Sequence, residues 1–267
     1  MRIGSTPFAF ALVIRIFTIQ ATGAVEWEDL HTDREAFTPS TFIEDRGSVL
    51  VETSYVFIEN RQGGPTNNLP ELLLRIGGGD IMEWRLGLNY SMGSQGNVVT
   101  NVEVGEAPID GHTLYESNVL YGFKLRTSRQ SGILPESCFL MEASTPCYGE
   151  QFGTIPVATQ VFGWQLTGGY RIDAAIRYSY VEGETTWFNR WSPSVVLRIP
   201  VTERLEWHAE YFGTFTHGLP NDVNRPFASP GMHIMLAPRV EAGIRVGWGL
   251  TVDAADFFSD AGLAWRF

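Results

Sequence analysis

The feature that most constrains this chain is a period-two alternation of apolar and polar side chains, repeated along most of its length. Residues 82–91 show it plainly: Met82, Trp84, Leu86, Leu88 and Tyr90 alternate with Glu83, Arg85, Gly87, Asn89 and Ser91. At 204–212, Leu205, Trp207, Ala209 and Tyr211 oppose Glu206, His208 and Glu210. At 239–248, Val240, Ala242, Ile244, Val246 and Trp248 oppose Arg239, Glu241, Gly243, Arg245 and Gly247. Residues 161–170 repeat the pattern, with Phe162, Trp164, Leu166 and Tyr170 on one face. Successive side chains of a strand point to opposite sides of its sheet, so each run predicts one apolar and one polar face.

Soluble sandwiches alternate too, so run length decides. These runs last about nine to eleven residues, the span of a tilted strand crossing a bilayer, whereas soluble strands average about five or six. Aromatics recur near the ends of the apolar faces (Trp84 and Tyr90, Trp207 and Tyr211, Trp248, Trp265), where an interfacial girdle belongs. About twelve runs can be placed, centred near 48–58, 69–76, 81–91, 116–126, 136–145, 159–170, 174–182, 191–201, 204–213, 231–238, 239–249 and 259–267.

The connections supply an independent test. Short ones follow the second, sixth, eighth and tenth runs: Gly77 to Asp80, Arg171 to Asp173, Val201 to Glu203, and Pro238-Arg239. The fourth, around Ser128 to Pro135, is intermediate, while segments such as Met92 to Tyr115 and Thr214 to Pro230 are long. Alternating short and long connections fit an even-stranded barrel with short periplasmic turns and both termini on the periplasmic side. The expected fold is an all-β, antiparallel up-and-down transmembrane barrel of the outer-membrane type.

Composition agrees. Only 18% of residues are charged and 13% are aromatic, yet mean hydropathy is −0.05, as alternation requires. Cytosolic domains carry nearer a quarter charged residues. No stretch of about 18 uninterrupted apolar residues offers a spanning helix. The net charge of −11 argues against nucleic acid, which needs a basic footprint.

Arg2, the apolar Phe8 to Ile14 and the small-residue stretch Ala21-Thr22-Gly23-Ala24 read as a signal peptide over 1–24, although Arg15 interrupts the apolar run. Residues 25–47 alternate poorly and are expected to form a periplasmic or lumenal arm, with the barrel over 48–267. In an oxidising compartment Cys138 and Cys147 are candidates for a disulfide across a strand end and its loop, although Cys138 falls within a strand run. No metal site or cofactor is expected: there is no Cys-x-x-Cys, and His112, His208, His217 and His233 lack ligand spacing.

The chain ends Asp260-Ala261-Gly262-Leu263-Ala264-Trp265-Arg266-Phe267. Gly262, Trp265 and the terminal Phe267 resemble the C-terminal signal that barrel-assembly machinery recognises. The implied partners are that machinery, outer-membrane lipid and a small-molecule solute.

Further stretches resemble the outer-membrane family labelled for the MetA pathway of phenol degradation, whose members are often called transporters. They are Thr32-Asp33-Arg34-Glu35-Ala36-Phe37-Thr38, Asn68-Leu69-Pro70-Glu71-Leu72-Leu73-Leu74-Arg75, Met82 to Gly87, Trp191 to Val195, Thr202 to Leu205, Ala209 to Gly213 and Asp256 to Phe267. The first departs from the family's usual Thr-Asp-Arg-Pro-Asp-Phe-Thr at Glu35 and Ala36. The resemblance implies a barrel in the outer membrane and transport linked to aromatic compounds.

If the apolar faces meet lipid, the lumen receives Glu71, Arg75, Glu83, Arg85, Asn89, Lys124, Arg198, Glu206, His208, Glu210, Glu241 and Arg245. Both signs are mixed, so these residues form either a structural ion-pair lining or a polar pathway with no strong ion preference. The leading expectation is a channel or transporter for small solutes, aromatic or hydrophobic ones by the resemblance. The alternative is a non-conducting structural or surface-interaction barrel acting through loops such as 92–115 and 214–230, which a blocked lumen would favour. A hydrolase built on His208, Glu206 and Glu210 is a third reading, but no Gly-x-Ser-x-Gly, His-Glu-x-x-His or phosphate loop accompanies them; no enzyme is expected. Arginine at Leu86 or Ile244 is expected to cost roughly 2–4 kcal/mol near the bilayer midplane, and far less at lumen-facing Asn89.

Overall fold

The computed structural model describes residues 27, 30–34, 36–94, 96–104, 113–151, 153–183 and 186–267. The expected signal peptide, Glu35 and His112 lie outside the described residues.

Twelve strands follow one another: β1 (Val49–Glu59), β2 (Thr66–Gly79), β3 (Met82–Gly93), β4 (Leu114–Ser128), β5 (Glu136–Tyr148), β6 (Ile155–Gln165), β7 (Arg171–Glu182), β8 (Trp187–Pro200), β9 (Leu205–His217), β10 (Asn224–Ala237), β11 (Val240–Gly249) and β12 (Phe257–Arg266). Each pairs antiparallel with its sequence neighbours, and β1 closes on β12 from Leu50↔Arg266 to Glu59↔Phe257. Closure pairs every strand edge, the condition a sheet must meet to sit in lipid, where no water can satisfy a free backbone group.

The alternation sorts side chains as a bilayer demands. Leu86, Ile244, Trp84, Trp207 and Trp265 stand on the exposed outer face, each about half exposed, whereas their neighbours Glu83, Arg85 and Arg245 are buried inside. An apolar, aromatic-rich outside between the rims around a charged inside is the pattern of an outer-membrane barrel, and that membrane is where such a barrel resides.

Five connections on one rim are 80–81, 129–135, 166–170, 201–204 and 238–239; the opposite rim carries 60–65, 94–113, 149–154, 183–186, 218–223 and 250–256. The shorter set marks the periplasmic rim, which also receives both ends of the barrel sequence. Several boundaries differ from the sequence reading, two of them most sharply. The turn before β7 is 166–170, built on a one-turn 3-10 helix (Thr167–Gly169) whose Gly168 and Gly169 take φ of 81° and 82°, while Arg171-Ile172-Asp173 belongs to the strand. β10 starts at Asn224 rather than near 231 and runs through two prolines. Proline cannot donate to a ladder and reads as a break, yet Pro226 and Pro230 keep register with Gly213 and Ala209.

The proposed disulfide is overturned. Cys138 and Cys147 are both free and stand near opposite ends of the single strand β5. Nine residues of strand separate them by roughly 30 Å, far beyond the ~7 Å Cα separation a disulfide allows. The sequence reading ended this strand at 145, which put Cys147 in a loop free to fold back.

The barrel is filled. Described residues of 30–44 enter from the periplasmic rim as a lumenal arm, and 96–104 of the β3–β4 connection enters from the other end. Leu30, Ala36, Phe37, Thr38, Ser40, Thr41, Val99 and Glu103 are all buried. Phe37, Val98 and Val99 complete an apolar cluster with the inward-facing Val56, Ile58, Phe212, Phe227 and Phe258.

Candidate functional site in the barrel lumen

Inward positions of β2, β3 and β4 place Arg75, Glu83, Arg85 and Lys124 side by side, and the arm threads among them. Arg75 pairs with Glu83 (2.9 Å) and Glu52 (3.3 Å), and donates to the arm carbonyls of His31 (2.9 Å) and Phe42 (3.0 Å). Asp33 of the arm meets Arg85 at 2.7 Å and Lys124 at 2.8 Å, with Arg75 at 3.8 Å. Burial alone would raise the Asp33 pKa, but Arg75, Lys124 and Arg85 together hold it well below the usual carboxylate range. Arg85 also binds Glu142 at 2.7 Å, and Arg34 of the arm pairs with Glu71 at 3.1 Å.

Wall carboxylates further clip the arm's backbone. Glu52 Oε2 accepts from the N–H groups of Asp33 and Arg34, both at 2.8 Å. Glu210 accepts from Phe37 N (3.0 Å) and Thr38 N (2.7 Å), and Glu83 from Glu44 N (3.0 Å). These bonds satisfy main-chain donors that an irregular segment would otherwise bury unpaired.

The outer segment is gripped in the same way. Glu103 pairs with Arg190 (2.8 Å) and Arg177 (3.4 Å), which hold its carboxyl below the ordinary range although burial pushes it up. Arg190 also donates to Val104 O (2.7 Å), and Arg245, paired with Glu210 and Asp260, donates to Val99 O (2.6 Å). Asn89 lies beneath this segment, fully buried, with no hydrogen-bond partner for either amide atom among the described residues. A cavity of about 20 Å³ beside it, lined also by Asn68, Glu71, Ser91 and Thr100, has room for roughly one water.

His208, His233 and Glu241 form a chain nearer the periplasmic rim: His208 Nδ1 to His233 Nε2 at 3.0 Å, His233 Nδ1 to Glu241 at 3.1 Å, and Thr32 Oγ1 donating to Glu241 at 2.9 Å. A cavity of about 240 Å³ opens there, lined by His31, Thr32, Arg198, Glu206, His233 and Glu241. Glu206, at the mouth, binds Arg198 at 3.2 Å. His208 itself packs against the backbone of Gly231, where a Cβ would strike its ring. The candidate residues thus fall into three groups: a central cluster (Arg75, Glu83, Arg85, Lys124, with Glu71), those under the outer segment (Asn89, and separately the pair Arg245 and Glu210), and the periplasmic mouth (Arg198, Glu206, His208, Glu241). Among the described residues no group of three or more His, Cys, Asp or Glu could hold a metal ion.

Sequence reasoning missed Glu52, Glu142 and Arg190 on the wall and the charges of Asp33, Arg34 and Glu103. The wall residues carry an alternation signal, Leu50, Glu52 and Ser54 against Val49, Val51 and Thr53. The others sit in segments without periodicity.

No family model matches the chain, and no curated protein matches it. Solved structures do. An outer membrane channel from Pseudomonas putida F1 superposes with a TM-score of 0.59 at 9% identity, covering 84% of this chain and 97% of that one. The NanC porin gives 0.53 at 9% identity (81% and 98% covered), and the translocator domain of the autotransporter NalP from Neisseria meningitidis gives 0.53 at 11% identity (84% and 90%). At such identities the likeness establishes the fold: a closed outer-membrane β-barrel of the architecture that channels and porins share. What sets this chain's lumen apart within that class is read from its own side chains.

Proposed function

We propose that the protein is an outer-membrane channel or transporter for small solutes whose pathway is shut in this conformation by two displaceable segments. One observation carries the reading: the arm and 96–104 are bound to the wall chiefly through side-chain-to-backbone hydrogen bonds and ion pairs and take no part in the strand ladder, so both can leave without opening the sheet. Wall carboxylates that grip main-chain N–H groups, such as Glu52 and Glu210, hold whatever backbone lies there and release it without breaking the barrel. The likeness to an outer membrane channel and the NanC porin supports the class, and the resemblance to the MetA-pathway family supports aromatic or hydrophobic solutes.

The test is conductance in planar bilayers and solute flux into liposomes. The native chain is expected to conduct rarely, and the double variant Glu52→Gln, Glu210→Gln to open often. The filled lumen favours a second reading, as expected of a blocked lumen: a non-conducting barrel that works through its surface loops. A double variant that frees the arm, yet passes neither ions nor small aromatic solutes, would establish that second reading and end the first.

A further inference from the structure

The two segments that enter the barrel from opposite ends are held by the same wall residues. Glu71 accepts from Arg34 of the arm at 3.1 Å and from Thr100 Oγ1 of the outer segment at 3.0 Å. Arg177 donates to Phe37 O and to Thr100 O, both at 3.3 Å, hydrogen-bonds Asn101 Oδ1, and lies 4.3 Å over the Phe37 ring. Arg245 donates to Val99 O at 2.6 Å and pairs at 3.2 Å with Glu210, the carboxylate that clips Phe37 N and Thr38 N. Asn101 Nδ2 also donates directly to Asp33 O.

Each shared residue is buried, so withdrawing one segment while the other stays docked leaves a charged or amide group short of a partner in a site water does not freely reach. An unmade bond there costs more than the same bond at a surface contributes. The stability of each docked segment therefore depends on the other. We infer that the arm and the 96–104 segment form one coupled gate: displacing the outer segment loosens the arm on the periplasmic side, and loosening the arm frees the outer segment.

The outer segment is reachable from outside. Its root lies at a cavity of about 140 Å³ lined by Arg61, Gln62, Asn97, Arg225 and Asp253. There Arg225 donates to Gly96 O, and Asn97 accepts from Ala255 N at 2.9 Å. At the other end, Thr32 and His31 of the arm form part of the wall of the 240 Å³ periplasmic cavity. An event at the outer mouth is thereby converted into a change at the periplasmic one. The role of this coupling in transport rests on the channel reading above; the coupling itself does not.

The experiment reads the two segments separately by thiol labelling of the full chain in liposomes, in a Cys138→Ser, Cys147→Ser background. Ile43→Cys reports the arm and Val102→Cys the outer segment; both sites are buried, so labelling follows opening. Asn97→Ala with Arg225→Gln weakens the outer segment at its root, at contacts remote from the arm. Glu52→Gln with Thr41→Val weakens the arm at contacts remote from 96–104. Each pair is expected to speed labelling at both reporters, on the order of 5-fold or more at the remote one, because a coupling free energy acts equally in both directions. Heat-modifiable gel mobility checks that every variant keeps a folded barrel. Acceleration confined to the weakened segment would overturn the coupling. Labelling coupled in both directions without any conductance would keep the coupling and remove only the channel reading.

Discussion

At Asp33 one arm carboxylate faces three buried cations, Arg75, Arg85 and Lys124; Glu83 pairs with all three and Glu142 with Arg85. Breaking a buried pair from one side costs about 3–5 kcal/mol. Asp33→Asn is expected at the low end, about 3 kcal/mol, because Glu83 and Glu142 still face the cations; chemical unfolding in micelles measures it. The acid range gives an independent readout. A carboxyl whose folded pKa is depressed contributes stability above its unfolded pKa of about 3.9, and that contribution is lost as pH falls through the folded value. Asp33 is held well below the ordinary range, so its part in arm docking persists at pH 4 and disappears only in more acidic solution. Undocking of the arm already at pH 5, followed by labelling of Ile43→Cys, would contradict this. The inside–outside assignment is tested on the other face. Leu86→Arg is expected to cost about 2–4 kcal/mol in the bilayer. The mild outcome expected from sequence at Asn89 no longer follows, since Asn89 is roofed by 96–104 rather than open to water. Asn89→Arg should instead displace that segment and speed labelling of Val102→Cys. Alternation told which way Asn89 points; it carried no information about what covers it.

Among elements, β5 separates what periodicity reads from what it cannot. Its inward and outward positions were legible, but its end was not: Pro146 interrupts the pattern, so the strand's continuation to Tyr148 carried no signal. That continuation places Cys147 at the outer rim, exposed, and leaves Cys138 buried near the periplasmic end of the strand. A membrane-impermeant thiol reagent on intact cells is expected to modify Cys147 and leave Cys138 untouched. Reducing agent should leave the folded protein's gel mobility unchanged. Modification of Cys147 only after permeabilisation would invert the barrel's orientation. The arm and the 96–104 segment were illegible for a different reason. Neither has a repeating face; their paths are set by charges on strands far away in the chain, as Glu210 is for Phe37 and Thr38. Long-range pairing of this kind leaves no local mark, although Asp33 and Arg34 stood in the sequence beside a barrel interior rich in opposite charges.

For the molecule as a whole, the decisive pairing is the one that closes the ring, β12 against β1. Period-two faces and alternating short and long connections foretold a closed barrel because lipid admits no open edge. The seam is sealed by main-chain bonds that end at Phe267, which donates to Val49 O at 2.9 Å. Its ring is exposed on the outer face, stacked on Trp265 with centroids 4.8 Å apart. Truncating the ring removes a pair worth about 0.5–1.5 kcal/mol while leaving the backbone seam intact. We propose that Phe267 also serves recognition by barrel-assembly machinery, a step that would act on the unfolded chain before that seam exists. Phe267→Ala is therefore expected to lower the amount of heat-modifiable barrel in the outer membrane several-fold. The same variant refolded in detergent should lose only about 1 kcal/mol. Equal losses in the two measurements would make Phe267 a packing residue of the finished barrel and nothing more.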